Sequence, residues 1–285
     1  MTLPGNTTIA SAPGFHPHLR EAWAAADSML CVGLDPDPGR LPHSLTGESD
    51  ATFRFCREIV DATADLVCAF KPQIAYFASQ GAEVALQRLC SYIRETYPRV
   101  LLILDAKRGD IGSTAEHYAI EAFDRYCAHA VTVNPYLGRD SVEPFLQHPG
   151  CGVFVLCRTS NAGGGDFQNL RVNGEPLYAN VASRVASEWN RTQRCGLVVG
   201  ATFPEELGKV RGLVGDLPLL IPGIGAQGGN VQSTVAAGAD STGRGMVINS
   251  ARAVLYAGSG KNFAEEARAV ATATRDEIRR HTRLT

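Results

Sequence analysis

The sequence contains no C-x-x-C pair, and none of its cysteine and histidine spacings matches a structural zinc site. Its eight cysteines are scattered singly, and several lie inside apolar runs such as LVCAF and VFVLC. Isolated cysteines within apolar runs are typical of reduced core residues rather than of a disulfide framework. We therefore expect free thiols in a cytosolic protein, and no zinc centre.

Long apolar runs and an excess of basic residues are lacking as well. No segment approaches the roughly 20 apolar residues that a membrane-spanning helix needs, and the first residues, MTLPGNTTIASAPG, lack the basic and apolar regions of a secretory signal. Lys and Arg (27) nearly balance Asp and Glu (29), so no basic stripe favours nucleic acid. The sequence predicts a soluble protein without a membrane or nucleic-acid partner, in which a local site holds any anionic ligand.

Short apolar runs are abundant, and they alternate with stretches of helical periodicity. Each run is apolar throughout rather than at every second residue, which indicates a strand buried on both faces, as in a parallel sheet. Helical spacing of apolar residues separates the runs, for example at Phe53, Cys56 and Ile59. Eight runs in 285 residues, of which 45% are apolar, predict an α/β fold of the (β/α)8, or TIM, barrel type. The runs cover residues 29–35, 65–71, 100–106, 130–134, 152–158, 196–200, 218–223 and, more weakly, 246–250.

No Pro- or Ser-rich linker divides the chain, so we expect a single domain. Residues 1–18 are predicted to form an irregular N-terminal arm, and residues 19–285 the barrel. An open doubly wound sheet is the alternative, but no strand-linked G-x-G-x-x-G supports it. Catalytic groups of such barrels lie at the C-terminal ends of the strands. Polar residues that close the runs, such as Asp35, Lys71 and Asp105, are therefore expected to meet at one mouth.

The densest group of charges follows the third run, in LILDAKRGDIGSTAEH. Asp105, Lys107 and Asp110 form the pattern D-x-K-x-x-D. A lysine between two carboxylates disfavours a divalent metal ion, but both a structural ion-pair network and a catalytic group are compatible with the pattern. In the catalytic interpretation the carboxylates keep Lys107 protonated and aimed, so that it acts as an acid.

The neighbours of this cluster have simpler interpretations. Arg108 is expected to be solvated or structural. Ser113 and Glu116 have the spacing of a helix capping box, and His117 is expected on the helix surface. Outside the cluster, Lys71 in AFKPQ is either a rim lysine that snorkels to water or a site residue.

Two further segments are candidates for binding a ligand. Asp35 in GLDPDP either forms a turn before proline or belongs to the site. The segment LLIPGIGAQGGN (219–230) offers successive backbone N–H groups before a helix, which suits a phosphate, although a flexible turn has the same composition. Barrels commonly bind phosphate after the seventh and eighth strands, where this segment and Arg252 fall. The run NAGGGD (161–166) fits either a loop that closes over a ligand or a linker.

Taken together, the motifs DAKRGDIGST, FKPQIAYF, GLDPDP, RTSN and PGIGAQGG resemble those of the orotidine 5′-phosphate decarboxylases. They are most similar to the longer bacterial branch, sometimes called type 2. The resemblance extends from about residue 30 to residue 258. It implies a (β/α)8 barrel that works as a homodimer with shared active sites and without a metal or other cofactor.

The resemblance also implies individual catalytic roles. Lys71, Asp105 and Lys107 match the charged residues beside the reacting carbon of the substrate. Asp110 matches an aspartate that the partner subunit contributes, and Thr114 matches the partner's ribose-contacting threonine.

Substrate-binding roles follow from the same motifs. Asp35 matches the aspartate that binds a ribose hydroxyl, Ser160 the serine that contacts the pyrimidine ring, and Pro222 a residue beside that ring. Gln227 and Arg252 resemble the phosphate-binding pair.

The chain departs from the family pattern at two places. Ala162 stands where the RTSN loop of the family usually has proline. Arg244, in ADSTGRGM, competes with Arg252 for the phosphate, and we favour Arg252 because NSARAVLYAG fits the family motif.

The implied reaction removes CO2 from C6 of orotidine 5′-monophosphate and yields uridine 5′-monophosphate (UMP), a step of de novo pyrimidine biosynthesis. Lys107 would stabilise and then protonate the C6 carbanion. One alternative is a Mg²⁺-dependent decarboxylase or aldolase for a sugar phosphate such as 3-keto-gulonate 6-phosphate, which lysine at position 71 disfavours. The other is a non-catalytic sensor of a phosphate ligand, which the complete charged set disfavours.

Overall fold

Eight parallel strands close into a barrel in the computed structural model, which describes residues 14–45, 47–224 and 229–282. Each barrel strand pairs in parallel with both neighbours, and the last strand closes on the first. The predicted (β/α)8 architecture is confirmed. The barrel strands are β1 (Leu30–Leu34), β2 (Ala69–Pro72), β3 (Leu101–Arg108), β4 (Ala130–Val133), β5 (Gly152–Arg158), β8 (Cys195–Val199), β9 (Leu219–Pro222) and β10 (Met246–Ser250), while β6 (Arg171–Val172) and β7 (Glu175–Pro176) form a separate antiparallel hairpin.

Helices follow the strands and cover the outside of the barrel. The second predicted strand begins later than expected, because Ala64–Leu66 form a 3₁₀ turn before β2. The helices are α1 (Phe15–Ala26), α2 (Ala51–Thr63), α3 (Ile74–Ala78), α4 (Glu83–Thr96), α5 (Gly112–Ile120), α6 (Glu143–Leu146), α7 (Gly165–Gln168), α8 (Leu177–Arg184), α9 (Pro204–Val214), α10 (Val231–Gly238), α11 (Arg252–Leu255) and α12 (Phe263–Thr282).

The core lies inside the barrel and between the strands and the helices. All residues of β1, β8 and β10 are buried, as the uninterrupted apolar runs predict. Apolar stripes on the helices pack against the outer face, and α2 and α12 bring Phe55 and Phe263 into contact, with ring centroids 5.4 Å apart. Gly196 in β8 makes room for an aromatic ring, because a Cβ there would lie 2.6 Å from Phe154.

The helix α1 covers the N-terminal ends of the strands. Phe15 is fully buried over the start of β5, where a side chain at Gly152 would collide with its ring. The Nε2–H of His16 donates to the carbonyl oxygen of Cys195 at the start of β8 (2.7 Å). Residues 15–18, which we expected in the irregular arm, are therefore helical, because their apolar and aromatic side chains close the bottom of the barrel. The rest of that predicted arm, residues 1–13, lies outside the described residues.

The cysteines are free thiols, as predicted. Six of the eight are buried, Cys151 is half-buried and Cys127 is exposed, so the expectation of core positions is wrong for Cys127. Within the described ranges no helix is long and apolar enough to cross a membrane.

A pair of histidines beneath the barrel, of which His129 is buried and His18 half-buried, makes stability depend on pH. The ring of His129 stands edge-on to that of His18 at 4.4 Å, and its Nδ1 accepts a hydrogen bond from the Leu102 N–H (2.8 Å). Burial, helped by the nearby Arg94 guanidinium and by His18, lowers the pKa of His129 well below 6.5. Burial, again with Arg94, also lowers the pKa of His18. The folded protein therefore resists protonation at both rings.

We expect the free energy of unfolding to fall as the pH drops below about 6.5, because the unfolded chain then binds protons that the folded chain excludes. Each excluded proton contributes a slope of up to about 1.4 kcal/mol per pH unit. Urea unfolding at pH 7 and pH 5 measures this slope. Asn at position 129 can keep an acceptor near Nδ1 without titrating, so His129→Asn should show a shallower slope. An unchanged slope in this variant would show that other groups cause the acid sensitivity.

Candidate active site

Seven barrel strands and Asp35, which directly follows β1, line one cavity at the C-terminal ends of the strands. The cavity has a volume of about 440 Å³, which lies within the usual range of small-molecule sites. Its charged residues include Lys71, Asp105 and Lys107, and Arg252 lies on its rim. The apolar part of the wall is formed mainly by Leu156, Val198, Leu220, Pro222 and Ile224.

Asp105 lies between two lysines at the base of the cavity. Its Oδ2 accepts a hydrogen bond from the Lys71 Nζ at 2.8 Å, and its Oδ1 accepts one from the Lys107 Nζ at 2.6 Å. The side chains of Lys71 and Asp105 are buried, whereas that of Lys107 is 46% exposed and borders the open cavity. A ligand can therefore reach the Lys107 ammonium directly.

The electrostatics fix the charge on the buried pair. Burial alone would raise the pKa of Asp105, but the ammonium groups of Lys71 and Lys107 outweigh this effect and hold that pKa well below its usual range. Burial alone would lower the pKa of Lys71, but Asp105 and Asp35 outweigh it and raise that pKa above its ordinary value. Asp105 is thus ionised at neutral pH and has no proton to donate.

The backbone that carries Lys107 is unusual. Lys107 has a φ of +46°, in the left-handed region, which a residue with a Cβ seldom adopts. The pairing register between β3 and β4 also shifts between Leu104 and Arg108. Such bulges re-aim side chains and are common next to active sites. Here the bulge sets the direction in which the Lys107 side chain leaves the strand.

Asp35 directly follows β1, the strand that pairs with β2, and lies in a turn that Tyr256 holds. The Tyr256 hydroxyl donates to the Asp35 carbonyl oxygen (2.8 Å) and accepts from the Asp37 N–H (2.7 Å). Burial raises the pKa of Asp35, although Lys71 partly offsets the effect. Asp35 Oδ1 is shielded from solvent, yet no group among the described residues donates a hydrogen bond to it. A hydroxyl of a bound ligand would satisfy this acceptor.

The donor set does not resemble a metal centre. Among the residues that the structure describes, no group of three or more His, Cys, Asp or Glu side chains is arranged to hold a metal ion. The Lys71 ammonium pairs with Asp105 Oδ2 (2.8 Å), and a cation at this carboxylate disfavours the binding of a divalent metal ion there.

Comparison with known proteins identifies the family. Residues 28–269 match the model of the "Orotidine 5′-phosphate decarboxylase / HUMPS family". A protein of Ralstonia pickettii (strain 12J) named orotidine 5′-phosphate decarboxylase is 65% identical over 264 residues, which cover 93% of this chain and 97% of that protein. This chain belongs to the orotidine 5′-phosphate decarboxylase family.

Solved structures of this family agree with the fold. The structure of Leishmania donovani OMP decarboxylase is 38% identical, with a TM-score of 0.78 and coverage of 93% of this chain and 99% of that one. Leishmania donovani UMP synthase is 40% identical with a TM-score of 0.80, and this chain spans 56% of that longer protein. The resemblance seen in the motifs is thus confirmed.

The decarboxylase motifs assign Arg252 rather than Arg244 to the phosphate, and the two arginines lie in different places. Arg252 begins α11, directly after β10, and lines the cavity. Arg244 precedes β10 and pairs with Asp27 at the end of α1 (3.2 Å), on the side of the barrel that α1 covers. Arg244 is therefore remote from the mouth. Gln227, the other predicted phosphate ligand, lies outside the described residues.

Two residues that the decarboxylase motifs assign to the partner's site do not line the cavity of their own chain. Asp110 follows β3, and its Oδ1 accepts a hydrogen bond from the Ile111 N–H (2.8 Å). Thr114 lies exposed in α5. The predicted capping box is wrong, since α5 begins at Gly112 after Ile111 and no side chain caps it. His117 is exposed, as expected.

The other residues singled out in the sequence lie in or near the rim of the barrel. Ser160 and Pro222 line the cavity, as the decarboxylase motifs imply. Ala162 begins a 3₁₀ turn that leads into α7, whose Gln168 accepts a hydrogen bond from the Thr159 N–H (2.9 Å). Arg108 is structural, because its guanidinium pairs with Glu121 (2.9 Å).

Several residues of the site were not predicted from the sequence. Thr132 in AVTVN and Asn249 in MVINS line the cavity, and each is a polar residue inside an apolar strand run. A polar residue inside an otherwise apolar strand run was the only indication in the sequence that these two positions belong to the site. It was weak, because threonine is a common strand residue in its own right.

Proposed function

We propose that the cavity binds orotidine 5′-monophosphate and releases CO2 from C6, and that Lys107 delivers the proton that completes UMP. The observation that carries the proposal is the hydrogen-bonded Lys71–Asp105–Lys107 chain at the base of the cavity, with Arg252 on the rim. The relatives that share most of this chain's length carry the name of that activity. Lysine at position 71, paired with Asp105, disfavours the Mg²⁺-dependent sugar-phosphate chemistry.

The chemistry assigns different work to the two lysines. When the C6–carboxylate bond breaks, its electron pair stays on C6, and the carbanion needs a nearby positive charge and then a proton. Lys107 faces the open cavity and supplies both, while the buried Lys71 holds Asp105 in place. A fixed charge in a site shielded from water needs little reorganisation during the reaction. Asp105 mainly orients Lys107, and its repulsion of the substrate carboxylate is a secondary effect.

The rest of the nucleotide would be bound by the rim of the cavity. Asp35 would accept a hydrogen bond from a ribose hydroxyl at its unpaired Oδ1. Ser160 and Pro222 would contact the pyrimidine ring, and Arg252 with Gln227 would bind the phosphate. Binding energy from the remote phosphate can be used to align the reacting ring.

We also propose that two copies of the chain form a dimer with shared sites. Asp110 and Thr114 do not line the cavity of their own chain, and the nearby surface exposes apolar side chains: Ile111 is 56% exposed, Tyr136 83% and Leu137 47%. Large exposed apolar side chains that lie close together are typical of interaction surfaces. Docking this surface on a second copy would place Asp110 beside the partner's Lys107. The free thiols fit a reducing compartment, and we propose a cytoplasmic location.

One assay tests the proposed activity against its alternatives. Purified protein is mixed with orotidine 5′-monophosphate in buffer that contains a chelator, and ultraviolet absorbance follows substrate loss. We expect complete conversion to UMP. Activity that depends on added Mg²⁺ would favour the sugar-phosphate enzyme, and binding without turnover would favour the sensor.

A mixed dimer tests the shared site. Lys107→Ala and Asp110→Ala should each be nearly inactive alone, because each homodimer lacks one group in both sites. In a hybrid, one site has both groups intact, so random 1:1 mixing should restore about a quarter of wild-type activity. Turnover is measured after mixing and re-association. If Asp110 served its own chain's site, mixing would restore nothing.

A further inference from the structure

The hydroxyl of Thr132 contacts the catalytic segment with its full hydrogen-bonding capacity. It donates to Asp105 Oδ1 (2.9 Å) and accepts from the backbone N–H groups of Ala106 (3.0 Å) and Lys107 (2.9 Å). A hydroxyl has one proton to donate and two lone pairs. The three hydrogen bonds of the Thr132 hydroxyl therefore all go to the consecutive residues 105–107. The Thr132 side chain is buried in the wall of the cavity.

These contacts coincide with the irregular pairing of β3 and β4. Leu104 pairs with Val131 and Arg108 pairs with Val133, so residues 105–107 lie opposite Thr132 alone. The extra residues of a bulge lose regular partners for their backbone groups. The Thr132 oxygen takes the place of those partners for Ala106 and Lys107. It thereby stabilises the segment in which Lys107 has a φ of +46°, a conformation that costs roughly 1–2 kcal/mol for a residue with a Cβ.

We infer that Thr132 is a positioning residue for the decarboxylation, which fixes both the Asp105 carboxylate and the backbone that aims Lys107. This inference rests on the proposed function, because it presumes that Lys107 acts on the substrate. Without the hydroxyl, Asp105 Oδ1 loses one of its two hydrogen-bond donors. Two backbone N–H groups are left unpaired beside the cavity, and the bulge is free to relax. The Lys107 ammonium then moves away from the position it needs at C6.

Thr63 is a buried threonine remote from the cavity, and it provides a control for the loss of a buried hydroxyl. Thr63 in α2 is equally buried, and its hydroxyl donates to the Ile59 carbonyl oxygen (2.7 Å). That contact joins one turn of a helix and contacts no residue of the cavity. Thr63→Val makes the same chemical change as Thr132→Val and serves as the matched control.

The test compares kcat with the affinity for the product. Thr132→Val should lower kcat about 10- to 100-fold, as a displacement of order 1 Å in a catalytic group does. The inhibition constant of UMP should stay within about threefold of wild type, because Thr132 is not among the groups proposed to bind the nucleotide. Thr132→Ser keeps the hydroxyl and should restore most of kcat, whereas Thr63→Val should leave kcat unchanged.

Each outcome decides the matter. Wild-type kcat in a folded Thr132→Val would overturn the inference, as would a loss that is confined to KM and is matched by an equal rise in the UMP inhibition constant. If Thr132→Val does not fold, Thr132→Ser and Thr132→Ala replace it, since both lack the methyl group and only serine has the hydroxyl. Equal kcat in this pair would overturn the inference. Lys107→Ala is assayed in parallel: if it is active the proposed function fails, and if it is inactive beside a fully active Thr132→Val only the role of Thr132 fails.

Discussion

Lys107→Ala is expected to lose at least about 10⁴-fold in kcat, because it removes both the positive charge beside C6 and the proton donor. Asp105 cannot replace it, since its pKa is held well below the usual range and it has no proton to give at neutral pH. Lys71 cannot replace it either, because its ammonium is buried against the far oxygen of Asp105. Steady-state kinetics with orotidine 5′-monophosphate measures the loss.

Lys107→Ala should still bind the nucleotide, because the proposed ribose and phosphate contacts are made by Asp35 and Arg252 at the rim of the cavity. We expect the inhibition constant of UMP to change by only a few-fold. Lys209→Ala is the matched control. Lys209 lies on α9, and its Nζ forms an exposed ion pair with Glu175 Oε2 (2.5 Å), so its removal should leave kcat unchanged. Substantial turnover by Lys107→Ala would exclude this residue as the proton donor.

The second large effect is expected at the phosphate end. Arg252→Ala should lower kcat/KM by about 10²- to 10⁴-fold, although the guanidinium is remote from C6, because phosphate binding energy aligns the ring at the reacting centre. Turnover of the nucleoside orotidine, which lacks the phosphate, should be unaffected by this change. Kinetics with the two substrates separates a phosphate contact from general damage to the fold.

Arg244→Ala supplies the control for Arg252. It removes a pair with Asp27 on the side of the barrel that α1 covers, so kcat/KM should stay at the wild-type value. If Arg244→Ala and not Arg252→Ala caused the loss, the phosphate site would be assigned to the wrong arginine.

The barrel could be predicted from the sequence because a strand that is buried on both faces is apolar at nearly every position. Strands such as Gly152–Arg158 and Met246–Ser250 are apolar at nearly every position, and the observed ends differ from the predicted ones by at most a few residues at most strands. The convergence of Asp35, Lys71 and Asp105 followed from the same pattern, since the C-terminal ends of parallel strands meet at one mouth.

Other features depend on three-dimensional details that no pattern of residue types records. The left-handed backbone of Lys107 and the shifted register at β3 arise from pairing with β4, so the three contacts of Thr132 could not be foreseen. The start of the helix at Phe15, by contrast, could have been predicted, because the buried residues Phe15, Leu19, Ala22 and Trp23 have helical spacing. Arg244 and Arg252 could be distinguished by motif alone, but only the fold shows that they lie in different parts of the barrel.

The central claim, that Lys107 transfers a proton at C6, is tested most directly by running the protonation step backwards. A group that donates the C6 proton of UMP must also be able to remove it, so the wild-type protein in D2O should exchange the C6 hydrogen of UMP for deuterium. Proton NMR of UMP follows the loss of the C6 signal, with Lys209→Ala as a control that should behave like wild type. We predict that Lys107→Ala exchanges no faster than a solution without protein. Exchange at the wild-type rate in Lys107→Ala would contradict the account.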